Sequence, residues 1–129
     1  MKPLHAKNKY QDFETMLRPI DEIVPASVYK EIPDEETLRA DLEQGILNYP
    51  LLCFETDQKY WQTNHLRLYH AGSPTLPEVA PEIDGRVYVV WSGRQRYQLA
   101  KQMGYTHIDC IHHDDFFEVT KQSSNFKKL

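Results

Sequence analysis

The sequence predicts an α/β domain of the α+β kind, a small mixed β-sheet with helices packed on it. Residues 87–91 (Val-Tyr-Val-Val-Trp) are β-branched and aromatic, as a buried strand requires, and they run into Ser92-Gly93, where strand propensity collapses. From Arg94 the composition turns helical, with Leu99, Ala100 and Met103 at helical spacing and Gly104 as a stop, before residues 107–112 return to strand character. The first half repeats that rhythm, with Leu38 and Leu42 one helical turn apart between two short apolar runs.

With 129 residues, 40% hydrophobic and 26% charged, the chain suits one globular domain. No apolar run approaches the roughly 20 residues that span a bilayer, and the opening Met-Lys-Pro-Leu-His-Ala-Lys lacks the apolar core of a signal peptide. The expectation is a soluble cytoplasmic protein with no membrane partner. Cys53 and Cys110 each lie inside a strand-like run, which predicts reduced core residues and no disulfide. A formal charge of −4 opposes broad adhesion to DNA but leaves room for a local basic site.

Taken in order, residues 1–15 carry Lys2, Lys7 and Lys9 without a sustained period and are expected to form a mobile arm outside the domain. Residues 16–20 read as a short strand that Pro19 confines to an edge or a strand end. Residues 21–32 suit a loop or a single helical turn. Pro33-Asp34-Glu35-Glu36 has the marks of a helix start, with Asp34 as N-cap and acidic residues where the dipole favours them. Leu38, Leu42 and Ile46 form its apolar stripe, and Gly45 sits where it should stop. The apolar stretch 47–54, around Pro50, predicts a central strand.

Residues 56–85 read as an insertion holding Tyr60, Trp61, Leu66, Leu68, Tyr69, three prolines (Pro74, Pro77, Pro81) and a closing Asp84-Gly85 turn. Alternation over 65–70 suggests an extra strand. Tyr60 and Trp61 either cap the core or, with Tyr69, offer a surface for a protein partner. His112-His113-Asp114-Asp115 supplies four metal-ligating side chains, yet neighbours on a strand point to opposite faces, so a solvated strand end is expected there and no metal. The domain is expected to end near residue 119, with 120–129 a polar tail bearing Lys121, Lys127 and Lys128.

The chemistry suggested by these elements lies at the strand-to-helix junction. Backbone N–H groups of Gly93, Arg94 and Gln95 at a helix N-terminus lack intrahelical acceptors, and the dipole favours an anion beside them. Arg94 and Arg96 add guanidinium groups able to hold phosphate oxygens in pairs. The arrangement reads as a phosphate cradle. An ordinary turn with solvated arginines has the same spacing, and spacing alone leaves both open.

Over residues 16–113 the chain resembles the ParB/sulfiredoxin-like superfamily, in particular the N-terminal domain of ParB-type proteins. The resemblance is carried by Arg18-Pro19-Ile20, by the helix at 37–44 running into Gly45-Ile46-Leu47 and Pro50-Leu51, and by Ser92-Gly93-Arg94-Gln95-Arg96 with Ala100, Lys101 and Gly104. The last segment is similar to the family's Gly-x-x-Arg-x-x-Ala-x-x-x-Gly signature, with Ala100 one residue late. What it implies is a nucleotide site, since CTP-binding ParB proteins, ATP-using sulfiredoxins and free-serine kinases hold phosphates at this turn. By position, Gly93, Arg94, Gln95 and Arg96 would line the cradle, Arg18 would approach the phosphates, and Thr37 and Asp41 would face the ligand, a nucleoside triphosphate with Mg²⁺.

Where sulfiredoxins carry cysteine and histidine in the turn, this chain has Arg94 and Gln95, so repair of cysteine sulfinic acid is not expected. Nor is a helix-turn-helix expected after the last strand, which argues against reading a partition site. The implied relatives are stand-alone members of phages and mobile elements, often labelled ParB-like nucleases. Two functions follow. One is a nucleotide-binding domain, with slow hydrolysis or phosphoryl transfer open and Asp21, Glu22 and Asp41 as candidate carboxylates. The other is a binding module acting on DNA, or on a host or phage protein through Tyr60, Trp61 and Tyr69.

Overall fold

Strands β4 (Leu51–Thr56), β5 (Val87–Ser92) and β6 (His107–His113) form the middle of a six-stranded mixed sheet in the computed structural model, which describes residues 1–10, 13–64 and 76–113. β4 runs antiparallel to β5 and parallel to β6. On its other edge β6 takes β2 (Met16–Pro19) antiparallel, and beside β4 it takes β1 (Pro3–Leu4) in parallel. β3 (Val24–Pro25) closes the far side, parallel to β5.

The two-residue period of a strand divides the core into two layers. Leu51, Cys53, Val90, Ile108 and Cys110 pack with Leu38 and Leu42 of α1 (Glu35–Glu43) and with Leu99 and Ala100 of α3 (Arg94–Gln102). Leu52, Phe54, Val87, Val89 and Ile111 pack with Trp61 of α2 (Gln58–Asn64) and with Tyr10. Among the described residues no helix is long and apolar enough to cross a membrane.

The predicted strands at 16–20, 87–91 and 107–112 and both long helices are present within a residue or two, whereas the central strand expected over 47–54 begins only at Leu51, after Pro50, and runs on to Thr56. Both helices stop at the glycines expected, Gly45 and Gly104. The N-terminus differs from expectation. Residues 1–15 are not simply an arm, because Pro3 and Leu4 pair with His107 and Ile108, Ala6 bridges Leu47, and Leu4 is 1% exposed. A two-residue strand shows no periodicity, and Leu4 is recruited by the core cluster rather than by its neighbours.

Residues 21–32 hold one 3-10 turn (Ile20–Glu22) and then β3, which lacked any alternating run to announce it. Asp34 stands at the N-cap position but makes no cap hydrogen bond. Its φ of 56° is left-handed, whereas a capping side chain needs an extended backbone to reach the first-turn amides. The apolar stripe of α1 continues to Leu47, which is fully buried, and Ile46 stays half-exposed.

Within the insertion, α2 presents Trp61 to the core, where its indole N–H donates to the Pro77 carbonyl at 2.9 Å. The surface expected of Tyr60, Trp61 and Tyr69 therefore loses Trp61. Tyr60 remains 41% exposed, while Tyr69 and the strand expected over 65–70 lie outside the described residues, as do Asp114, Asp115 and the tail.

Candidate functional site

At the end of β5 the chain enters α3 through Gly93, whose φ of +93° is a left-handed value that side chains disfavour. A Cβ there would also overlap the Leu51 side chain, so conformation and space both demand glycine. The amides of Arg94, Gln95 and Arg96 have no intrahelical acceptor, no side chain caps the helix, and its first turn holds no acidic residue. The positive end of the dipole is left uncompensated.

These residues open on a hollow of about 340 Å³, lined by Gly93, Arg94, Gln95 and Arg96 together with Tyr29, Trp91 and Ser92. Arg94 is held rather than solvated. Its Nη1 donates to Ser27 Oγ at 2.6 Å, and its guanidinium lies 5.8 Å from the Tyr29 ring centre and 5.7 Å from that of Trp91. The loop carrying Tyr29 is clamped to α3 in turn: Gln98 Nε2 donates to the Tyr29 carbonyl at 2.8 Å, and Tyr29 N–H donates to Gln98 Oε1 at 2.9 Å.

Arg96, two residues on and roughly 200° around the helix, lies on another side of it. Its charge acts on Tyr10, whose hydroxyl is pushed up by burial and then by Tyr49, with Arg96 opposing. The two arginine side chains thus leave the helix in different directions, and both residues line the hollow.

Arg18, Thr37 and Asp41 do not line this hollow. Arg18 sits on β2, separated from β5 by β6 and β4, which is three strand spacings or roughly 14 Å. Thr37 is exposed and Asp41 half-buried on α1. Of the other candidate carboxylates, Asp21 lines a second cavity of about 470 Å³ walled by Ile23, Val24, Tyr97 and Lys101, where Lys101 Nζ approaches its Oδ1 at 3.8 Å. That larger cavity is mostly apolar and its ion pair is well exposed, so it offers a phosphate little.

Sequence reasoning missed Ser27, Tyr29 and Gln98. Only Gln98, one helical turn after Arg94, left a trace in the spacing. Ser27 and Tyr29 reach the site because β3 pairs with β5, a tertiary fact. No protein-family model matches the chain, and no curated protein matches it.

Proposed function

We propose that this protein binds the phosphate groups of a nucleotide at the N-terminal end of α3, as a nucleotide-binding domain of ParB/sulfiredoxin-like type. The observation that carries this is an uncapped helix start, free of acidic residues, beside an arginine already restrained by Ser27. Gly93 lets backbone amides meet the ligand, and Arg94, held against two aromatic rings, surrenders little side-chain entropy on binding. Arg96, which also lines the hollow, supplies a second positive charge. The mixed six-stranded sheet with packed helices is compatible with the α/β class that this reading requires.

A triphosphate would carry Mg²⁺, which neutralises phosphate charge. Among the described residues no carboxylate lines the hollow, so the ion would be held by phosphate oxygens and water. For the same reason the proposal is of binding, without a hydrolytic base.

The test is a thermal-shift titration with ATP, CTP, GTP and UTP in the presence of Mg²⁺. A ligand at a hundred times its Kd adds about 2.7 kcal/mol of stability, well within reach of the measurement. Gln95→Glu puts a carboxylate on the first turn, which suits the apo helix and repels an anion, so the variant should fold as well as the parent and lose the shift. If no triphosphate at millimolar concentration moves the transition of the parent protein, the proposal is wrong.

A further inference from the structure

A second constellation lies away from this hollow, on the sheet. In the parallel pairing of β4 with β6, Leu51 is in register with Cys110 and Cys53 with His112. The two-residue period then sends Cys53, Cys110 and His112 to one face. Their two sulfur atoms and an imidazole nitrogen all lie within 4.8 Å of one another. Both cysteines are free and fully buried.

Both ring nitrogens of His112 are buried and neither has a hydrogen-bond partner. A neutral imidazole carries one donor and one acceptor, and an unmet buried polar group costs roughly 1–3 kcal/mol. The ring is nevertheless fixed, stacked on Tyr88 with centroids 4.0 Å apart and planes 23° from parallel.

Arg18 faces the same group from β2, in register with Ile108, two residues before Cys110. Among the described residues its buried Nε has no hydrogen-bond partner. Its cation sets the charge of the ion that fits. Two thiolates, one neutral imidazole and a divalent ion sum to zero and leave Arg18 unbalanced, whereas a monovalent ion leaves one negative charge for Arg18 to neutralise.

We propose that Cys53, Cys110 and His112 form a three-coordinate site for a soft monovalent cation of the Cu(I) type, with Arg18 as the balancing charge. Soft thiolate ligands select such ions, and three ligands suffice for them. Binding displaces the proton of each thiol, so two protons are released per ion.

The test is an anaerobic titration of the whole protein with Cu(I) against a chromophoric Cu(I) chelator, followed by X-ray absorption on the loaded protein. One equivalent should leave the chelator, and the metal's first shell should contain two sulfurs and one nitrogen. Cys53→Ala, Cys110→Ala and His112→Asn should each abolish retention, and Arg18→Gln should weaken it by about tenfold. Parallel Zn²⁺ titrations should show weaker binding. Failure of the parent protein to withdraw Cu(I), a first shell without two sulfurs, or Zn²⁺ binding as tight as Cu(I) would each overturn the proposal, and the first two need no variant to fold.

Discussion

Arg94 Nη1 donates to Ser27 Oγ across 2.6 Å, tying the turn after β5 to the loop after β3. Ser27 is 4% exposed, so this hydrogen bond is partly withdrawn from water, and it fixes a guanidinium that would otherwise sample many rotamers. Ser27→Ala should cost about 1 kcal/mol in chemical denaturation and weaken any phosphate response, because the arginine must then be ordered by the ligand. Equal nucleotide affinity in parent and variant would show that the restraint has no role in binding.

Gly93→Ala should lose about 2 kcal/mol or more. The left-handed backbone costs a Cβ roughly 1–2 kcal/mol, and the Leu51 side chain must move to admit it. Urea denaturation measures this, and a loss under about 0.5 kcal/mol would mean that the junction relaxes freely.

Leu4→Ala should lose about 2–5 kcal/mol, the range for emptying a core leucine site. Leu4 sits in the same cluster as Ile108 and Cys110, and its strand is pinned by Lys2 N–H donating to Thr106 Oγ1 at 2.8 Å. A mobile arm would show no change, so denaturation midpoints separate the two descriptions directly.

Tyr97 governs stability at alkaline pH. Its hydroxyl donates to the Ile23 carbonyl at 3.2 Å, and burial, followed by the Asp21 carboxylate, raises its titration far above the ordinary value near 10. A phenol whose titration is raised by folding contributes stability that is complete below about pH 10 and is lost as pH rises toward the folded value. Tyr97→Phe should cost about 1 kcal/mol at neutral pH and decline less steeply than the parent above pH 10. Tyr10, Tyr88 and the Cys110 thiol are raised as well, so some decline should persist. Parallel slopes in parent and variant would assign the alkaline loss to those three groups.

The junction at Gly93 was legible because strand, turn and helix are local chemistry: β-branched residues, a Ser-Gly pair that breaks the strand and an apolar stripe are each written within a few residues of one another. Arg18 shows where that ends. Its place beside an arginine-glycine turn was an inference from resemblance, and the pairing of β2 with β6 instead sets it beside Cys110 and His112. Cys53 and Cys110 read only as reduced core residues for a related reason, since each lies in a strand-like run of its own and the third member, His112, belonged to what read as a solvated strand end.

By itself the sequence determined the secondary elements with strong periodicity, the helix stops and the strand-turn-helix junction at Ser92-Gly93. Only the tertiary structure decided that Leu4 closes the sheet, that Trp61 is core, that Ser27 holds Arg94, and that two cysteines meet a histidine. The division is physical: propensity and dipoles act over a few bonds, whereas these contacts depend on strand register, which the chain acquires only when distant segments bury their apolar faces together.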